Sequence, residues 1–254
     1  MVTSLTIYIA AKNEAHNIGA CVDSAAFADE VLVLDSGSTD DTAAIARAHG
    51  ATVHITDWPG YGPQQNRGIA LARSEWVMSL DADERISPEL QAEILREIAH
   101  PRADGYRIPR LSSLCGHFIH HGGWRPDYTL RLVKRDKAGF TTHFLHANMT
   151  VQGSQARLRE SLIHYSYRDL HDVLEKLDRY STGNARDLAA RGVKGSFAKA
   201  LWHGLWAFVR TLVFRRGFLD GRYGWMLAIY NAESTYYKYL KLMELQEREA
   251  APPR

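Results

Sequence analysis

Four times within residues 1–100, a short apolar run rich in β-branched side chains gives way to a polar turn and then to a segment of helical periodicity. Residues 4–11, SLTIYIAA, lead through KNEAHN into a helical pattern at Ile18, Cys21, Val22 and Ala25. EVLVLDSGSTDDT supplies a strand over 31–34, a glycine turn and a helix over 42–49, opened by acidic residues that favour a helix N-terminus. A third strand over 51–55 precedes a helix over 63–72, and a fourth over 75–80 precedes an amphipathic helix over 88–100. Strands alternating with helices at this spacing pair in parallel, because each helix carries the chain back to the same end of the sheet. The expected class is α/β, a doubly wound and mostly parallel sheet.

The rhythm changes after Pro101. Residues 105–167 hold short β-like runs, GYRIPRL, YTLRLV and ANMTV, separated by Gly- and His-rich loops, and SLIHYSY reads as a last strand. Helical patterns take over from Asp169, so the expected division is residues 1–168, a helical region over 169–248, and a flexible tail over 249–254. Charge separates the ends: residues 1–100 carry 6 Lys/Arg against 15 Asp/Glu, and residues 191–245 carry 9 against 3. An acidic first part repels phosphate backbones and no zinc-finger, RRM or KH pattern occurs, which excludes a nucleic-acid partner. Cys21 and Cys115 lie far apart in apolar contexts, as reduced core thiols do, and MVTSLTIYIAAKNE lacks the pattern of a cleaved signal. A cytoplasmic setting is expected.

In an open parallel sheet, ligands bind beyond the carboxyl ends of the strands. Three polar clusters fall there: Lys12-Asn13-Glu14, Asp35-Ser36-Gly37-Ser38 and Asp81-Ala82-Asp83. They hold carboxylates and hydroxyls, and no glycine-rich phosphate loop follows a strand, so a bound phosphate needs another countercharge. Asp81 and Asp83, one residue apart at a strand end, can both reach one divalent cation (Mg2+ or Mn2+) that takes further oxygens from a diphosphate. The competing reading is an acidic turn capping the helix that begins near Ser87-Pro88. Glu84 is not needed as a ligand and is expected to cap that helix.

The series IAAKNEAHNI, VLVLDSGSTDDT, GPQQNRGIALA and MSLDADE resembles the nucleotide-sugar-binding domain of family 2 glycosyltransferases with the GT-A fold. GGWRPDYTLRLVKR, LIHYSY, RRGFLDGRYG and NAESTYYKYLK are similar to the lipopolysaccharide-core heptose β-1,4-glucosyltransferases of that family. The resemblance implies a Rossmann-like GT-A domain with a helical C-terminal extension. It implies an inverting, metal-dependent transfer of a hexose, glucose from UDP-glucose, to an inner-core heptose of a lipid-linked saccharide. It also implies that Ala10, Ala11 and Glu14, with Asp35 and Ser36, hold uridine and ribose. Gln65 and Arg67 would lie near base and phosphates, and Asp81, Ala82 and Asp83 at the diphosphate. His164 in LIHYSY is placed to complete the metal shell of Asp83 and Asp81, or to be a core histidine bonded to backbone.

An inverting transferase needs a carboxylate or histidine to take the proton of the acceptor hydroxyl. The resembling subgroup implies a His-Glu pair where this chain reads His146-Ala147, and alanine accepts no proton. The base is then Asp127 in GGWRPDYTLR, whose alternative role is an ion pair with Arg125 or Arg131, or it is His146; otherwise the chain is a catalytically impaired nucleotide-sugar or membrane-binding module. A phosphohydrolase with an aspartyl nucleophile is the remaining rival, and it would carry that residue on an early strand. In the C-terminal region Leu201–Phe214 is interrupted by His203 and Arg210, too broken for a span of roughly 20 apolar residues. It suits an interfacial helix on an anionic membrane surface, peripheral at the inner face of the inner membrane, or a core-packing or oligomer contact.

Overall fold

The computed structural model describes residues 3–141 and 148–250. They divide into two compact units, Met1–Leu111 with Pro126–His164, and Ser112–Arg125 with Tyr165–Arg254.

The first unit opens with β1 (Leu5–Ala11), α1 (Ile18–Ala25), β2 (Glu30–Asp35), α2 (Thr42–Ala48), β3 (Thr52–Ile55), α3 (Tyr61–Leu71) and β4 (Trp76–Asp81). β5 (Glu84–Arg85), α4 (Pro88–Ala99) and β6 (Gly105–Leu114) follow. After β7 (His117–Phe118), which belongs to the second unit, come β8 (Asp127–Lys134), β9 (Ala138–Phe140), β10 (Met149–Val151), β11 (Gln155–Arg157) and β12 (Leu162–Tyr167). The main sheet runs β3-β2-β1-β4-β8-β6-β12-β5. β1 lies parallel between β2 and β4, and β3 is parallel to β2, as the strand–helix alternation predicts. β8 is antiparallel to β4 and to β6, so the sheet is mixed beyond β4.

Strand period sorts the core onto two faces. Leu5, Ile7 and Ile9 of β1 and Trp76, Met78 and Leu80 of β4 bury on one side with Ile18, Cys21, Leu90 and Ile94 of the helices. Tyr8, Leu32, Leu34 and Val77 point to the other, where Ile69 of α3 and Leu130 of β8 close over them. Covered on both faces, the central strands read as continuous apolar runs. Ser87 caps α4 by accepting from the Leu90 N–H, with Pro88 in the first turn. The expectation that Glu84 caps this helix is therefore corrected: Glu84 belongs to β5 and is fully buried. A two-residue strand has too little length to show a period, so the sequence reads it as a turn.

The second unit contains α5 (Leu170–Ala190), α6 (Phe197–Val209), a π-helical turn Arg210–Phe214, a 3-10 turn Gly217–Asp220 and α7 (Gly221–Ala250). Asp169 and Ser196 cap α5 and α6 through the N–H groups of Asp172 and Lys199. Lys241 Nζ of α7 donates to Asp178, Ser181 and Thr182 of α5. Residues 112–125, expected in the first region, belong here: Leu114 and Ile119 share a core with Val173, Leu177, Leu227 and Tyr230. No helix among the described residues is long and apolar enough to cross a membrane.

Two glycines test the packing. A Cβ at Gly68 of α3 would stand 2.4 Å from the Tyr8 ring, whereas one at Gly183 of α5 meets nothing within 4 Å. Urea unfolding is expected to show Gly68→Ala destabilised by about 1–3 kcal/mol through overpacking. Gly183→Ala is expected to gain up to about 1 kcal/mol, the helix-propensity difference.

Candidate active site

The parallel register builds the rim. Ala10 lies beside Asp81 and Ala11 beside Asp35, so the carboxylates ending β2 and β4 flank the end of β1. Asp35 is 1% exposed, and its Oδ1 accepts the Ser38 N–H at 3.0 Å and the Ser38 hydroxyl at 2.5 Å. Ser38 Oγ in turn accepts the Asn13 N–H at 2.9 Å, and Asn13 Oδ1 accepts the Thr39 N–H at 2.8 Å. These bonds tie the β1 and β2 loops together. Asn13 sits at φ +56°, a left-handed conformation that Asn tolerates. The Glu14 N–H donates to Thr42 Oγ1 of α2 at 2.8 Å, and its carboxylate accepts from Asn17, the residue before α1, at 2.9 Å.

The next loop is braced by a residue the sequence reading passed over. Gln64, fully buried, donates to Ser36 Oγ at 3.1 Å and to Thr56 Oγ1 at 2.7 Å, and its Oε1 accepts from Arg67 at 2.9 Å. Arg67 also reaches Asp57 Oδ1 at 2.8 Å. The expected residue, Gln65, is next to this brace, and its Oε1 is buried without a hydrogen-bond partner. Helical spacing carried the missing signal, because Gln64 stands one turn before the buried Gly68.

At the DAD segment the two aspartates have different environments. Arg131 of β8, 7% exposed, directs both terminal nitrogens at the Asp81 carboxylate, and it also donates to Ser79 Oγ at 3.0 Å and Glu84 Oε1 at 2.8 Å. Glu84 Oε2 accepts the Asp81 N–H at 3.0 Å. Arg110 of β6 continues the alternation: its Nη1 lies 3.8 Å from Glu84 Oε1, and its Nε and Nη2 donate to Asp127 Oδ2 at 2.9 and 2.5 Å. The ion pair expected between Asp127 and Arg125 or Arg131 is thus made with Arg110 instead, because β6 and β8 pair with Arg110 opposite Asp127. Asp83 Oδ2 lies 3.4 Å from His164 Nε2. β5 and β12 bring that about by pairing Glu84 with His164. Ala82, 5% exposed, offers its carbonyl to Arg85 Nη1 at 2.8 Å.

Burial alone would push the Asp81 carboxyl up; the Arg131 guanidinium outweighs it and holds the group below the usual carboxylate range. For Glu84 burial wins and the pKa rises, with Asp81 adding to the effect against Arg131. Arg131 itself is driven upward, its burial overcome by the two carboxylates.

A cation bound here would take Asp83 and His164 as an edge and its other oxygens from a diphosphate, and those two residues fit that role. Asp81 fits it less well, because Arg131 engages both its oxygens. The expected three-residue set of Asp83, Asp81 and His164 is not assembled: among the described residues no three His, Cys, Asp or Glu side chains are grouped to hold a metal. Arg131 engages Asp81 here, and its signal was an arginine inside the apolar run YTLRLV, where an unpaired charge would be too costly. His146 and Ala147 lie outside the described residues.

Removing Arg131 leaves the fully buried Glu84 carboxylate, and the part-exposed Asp81 carboxylate beside it, without their guanidinium. Arg131→Met is expected to cost about 3–5 kcal/mol at neutral pH. In the native protein Asp81 has a folded pKa below its unfolded value of about 3.9, so its stabilisation is present above that value and is lost as the pH falls through the folded one. In the variant, burial without the guanidinium raises the Glu84 carboxyl further, so the penalty grows with pH and shrinks as the pH falls and Glu84 protonates. Urea unfolding of both proteins at two pH values measures the difference.

Comparison with known proteins finds matches along the whole chain. The family model for glycosyl transferase family 2 matches residues 6–164. An uncharacterized glycosyltransferase of Rickettsia conorii is 31% identical over 259 residues, 96% of this chain and 90% of the relative. The lipopolysaccharide core biosynthesis glycosyltransferase LpsC of Rhizobium meliloti is 28% identical over 260 residues, 98% of this chain and 94% of the relative. Among solved structures, S. aureus TarS 1–349 in complex with UDP-GlcNAc aligns over 99% of this chain and 93% of that one, with a TM-score of 0.50 at 14% identity, a likeness of fold.

Proposed function

The chain belongs to glycosyl transferase family 2, and from that premise we propose that it is an inverting, cation-dependent hexosyltransferase that uses a UDP-sugar, with glucose as the hexose. The observation that carries this reading is the register placing Asp35 and Asp81 on either side of the Ala10–Ala11 backbone. A buried Asp35 held by Ser38 is set to accept hydrogen bonds from ribose or base, with Ser36 beside it fixed by Gln64. Glu14 borders the same end of β1. Arg67 is held at the foot of the brace, where a guanidinium beside a diphosphate makes a charge-assisted partner.

Asp83 and His164 would hold a divalent cation, while Asp81, clamped by Arg131, keeps the Asp81–Asp83 backbone in place. When bound, such a cation would supply positive charge against the diphosphate of the leaving UDP. Asp127 takes the proton of the acceptor hydroxyl: Arg110 occupies its Oδ2, the side chain is 42% exposed, and Oδ1 is directed to neither Arg110 bond. The acceptor is a lipid-linked saccharide of the lipopolysaccharide inner core with a heptose as the receiving sugar, a reading supported by the similarity to LpsC along nearly the full chain. Such an acceptor puts the enzyme at the cytoplasmic face of the inner membrane. A second reading, a nucleotide-sugar-binding module impaired in transfer, is favoured by Ala147, which offers no proton acceptor where the resembling subgroup has one, and by the Arg110 bonds that occupy Asp127 Oδ2. An aspartyl-nucleophile phosphohydrolase is disfavoured by the Asp81 carboxylate being bound to Arg131.

Calorimetry of UDP-glucose with and without Mn2+ tests the donor site. Binding is expected to need the cation and to weaken by about tenfold or more in Asp83→Asn, the loss of one charged ligand contact. Cation-independent binding that survives the substitution would contradict the assignment. For the base, Asp127→Asn is expected to lower transfer by about 10²–10⁴-fold with UDP binding intact. Unchanged turnover in Ala147→Glu, with Asp127→Asn inactive, assigns the base to Asp127, a raised rate assigns it to position 147, and UDP binding without transfer in both the native chain and Ala147→Glu selects the impaired module.

A further inference from the structure

Helix α6 is packed inside out. Its buried side consists of the small residues Ala200, Gly204 and Ala207. A Cβ at Gly204 would stand 3.2 Å from Tyr236 Cβ and 3.3 Å from the Ala232 carbonyl oxygen of α7. Small residues let two helix backbones approach closely, the packing used where large side chains are not drawn inward by water. The large ones lie on the opposite side: Phe197, Leu201, Trp202, Leu205 and Trp206 are between 48% and 69% exposed. The apolar surface continues, since the Trp206 ring lies 5.5 Å from Phe214 and the Phe208 ring 6.0 Å from Trp225, and Phe214 and Trp225 are themselves exposed. A patch of this kind on a soluble domain marks a surface that something covers.

Charge identifies the occupant. From residue 188 to 219 there is no Asp or Glu, while Arg191, Lys194, Lys199, Arg210, Arg215 and Arg216 are all exposed. A second copy would bring the same positive charge against this face, whereas anionic headgroups neutralise it and accept tryptophan at their boundary with the acyl chains. No described helix is long and apolar enough to span. We propose that the α6 face of the helical unit is an interfacial membrane-binding surface for anionic lipid, the helix lying along the bilayer with Trp202 and Trp206 at headgroup depth. This goes beyond the transfer reading and does not require it.

The test is flotation of the full chain with vesicles of phosphatidylcholine alone or mixed with phosphatidylglycerol, following tryptophan emission. Binding to the mixed vesicles is expected, with a blue shift, and it weakens as salt screens the basic residues. Trp202→Glu combined with Trp206→Glu is expected to reduce vesicle affinity by about tenfold or more, with far-UV dichroism and UDP binding unchanged. Lys199→Glu with Arg210→Glu is expected to abolish the preference for phosphatidylglycerol. Leu95→Glu, an exposed apolar position on α4, is expected to bind as the native chain does. Failure to bind mixed vesicles at low salt would overturn the proposal, as would binding indifferent to both double variants. A dimer that the tryptophan variant dissociates, without vesicle binding by the native chain, would assign the face to a second copy instead. Because UDP binding is read on the same samples, the lipid surface and the donor site fail separately.

Discussion

A guanidinium placed between Leu130 and Leu132 in an interior strand must be answered by carboxylates, and the first unit is arranged around that requirement. Arg131 joins β8 to the end of β4 through Asp81 and to β5 through Glu84. It therefore ties the antiparallel part of the sheet to the parallel part at the point where the rim carboxylates emerge. Such a cluster contributes little net stability, since desolvation offsets much of the attraction. What it contributes is position: with both oxygens of Asp81 engaged, the strand end and the turn after it have one arrangement.

The consequences run outward from there. Glu84 anchors a two-residue strand whose pairing with β12 sets His164 against Asp83. On the other side Arg110 carries the alternation of charge to Asp127, so the candidate donor-side and acceptor-side carboxylates belong to one connected set of ion pairs. The DAD segment thus divides its labour. Asp81 is held by Arg131, and Asp83 is the carboxylate we propose to meet a ligand.

Much of this was legible in the sequence, and the boundary of what was legible has physical causes. The strand–helix alternation over residues 1–100 gave parallel pairing and put Asp35, Asp81 and Asp83 on one rim, because period and crossover length are local properties. The same locality hid Glu84, whose strand is two residues long, and Arg131, whose partners are about 50 positions away in sequence. Gln65 came from the family resemblance, and its neighbour Gln64 was not legible, because only the packed face of α3 shows which glutamine reaches Ser36 and Thr56. Residues 112–125 were assigned to the wrong side of the chain for a similar reason: Leu114 and Ile119 find their core with α5 and α7, far along the sequence. In the helical unit the sequence showed apolar stripes and basic residues, but which stripe is buried was decided by the small residues of α6.

The central claim is that Asp83 and His164 meet the cation while Asp81 stays with Arg131. Anomalous scattering from crystals grown with UDP and Mn2+ tests it most directly. The account predicts one peak within coordination distance of Asp83 and His164, with the Asp81–Arg131 bonds intact. A peak bound through Asp81 with Arg131 displaced, or UDP bound on the Asp35 rim with no peak at all, would contradict it.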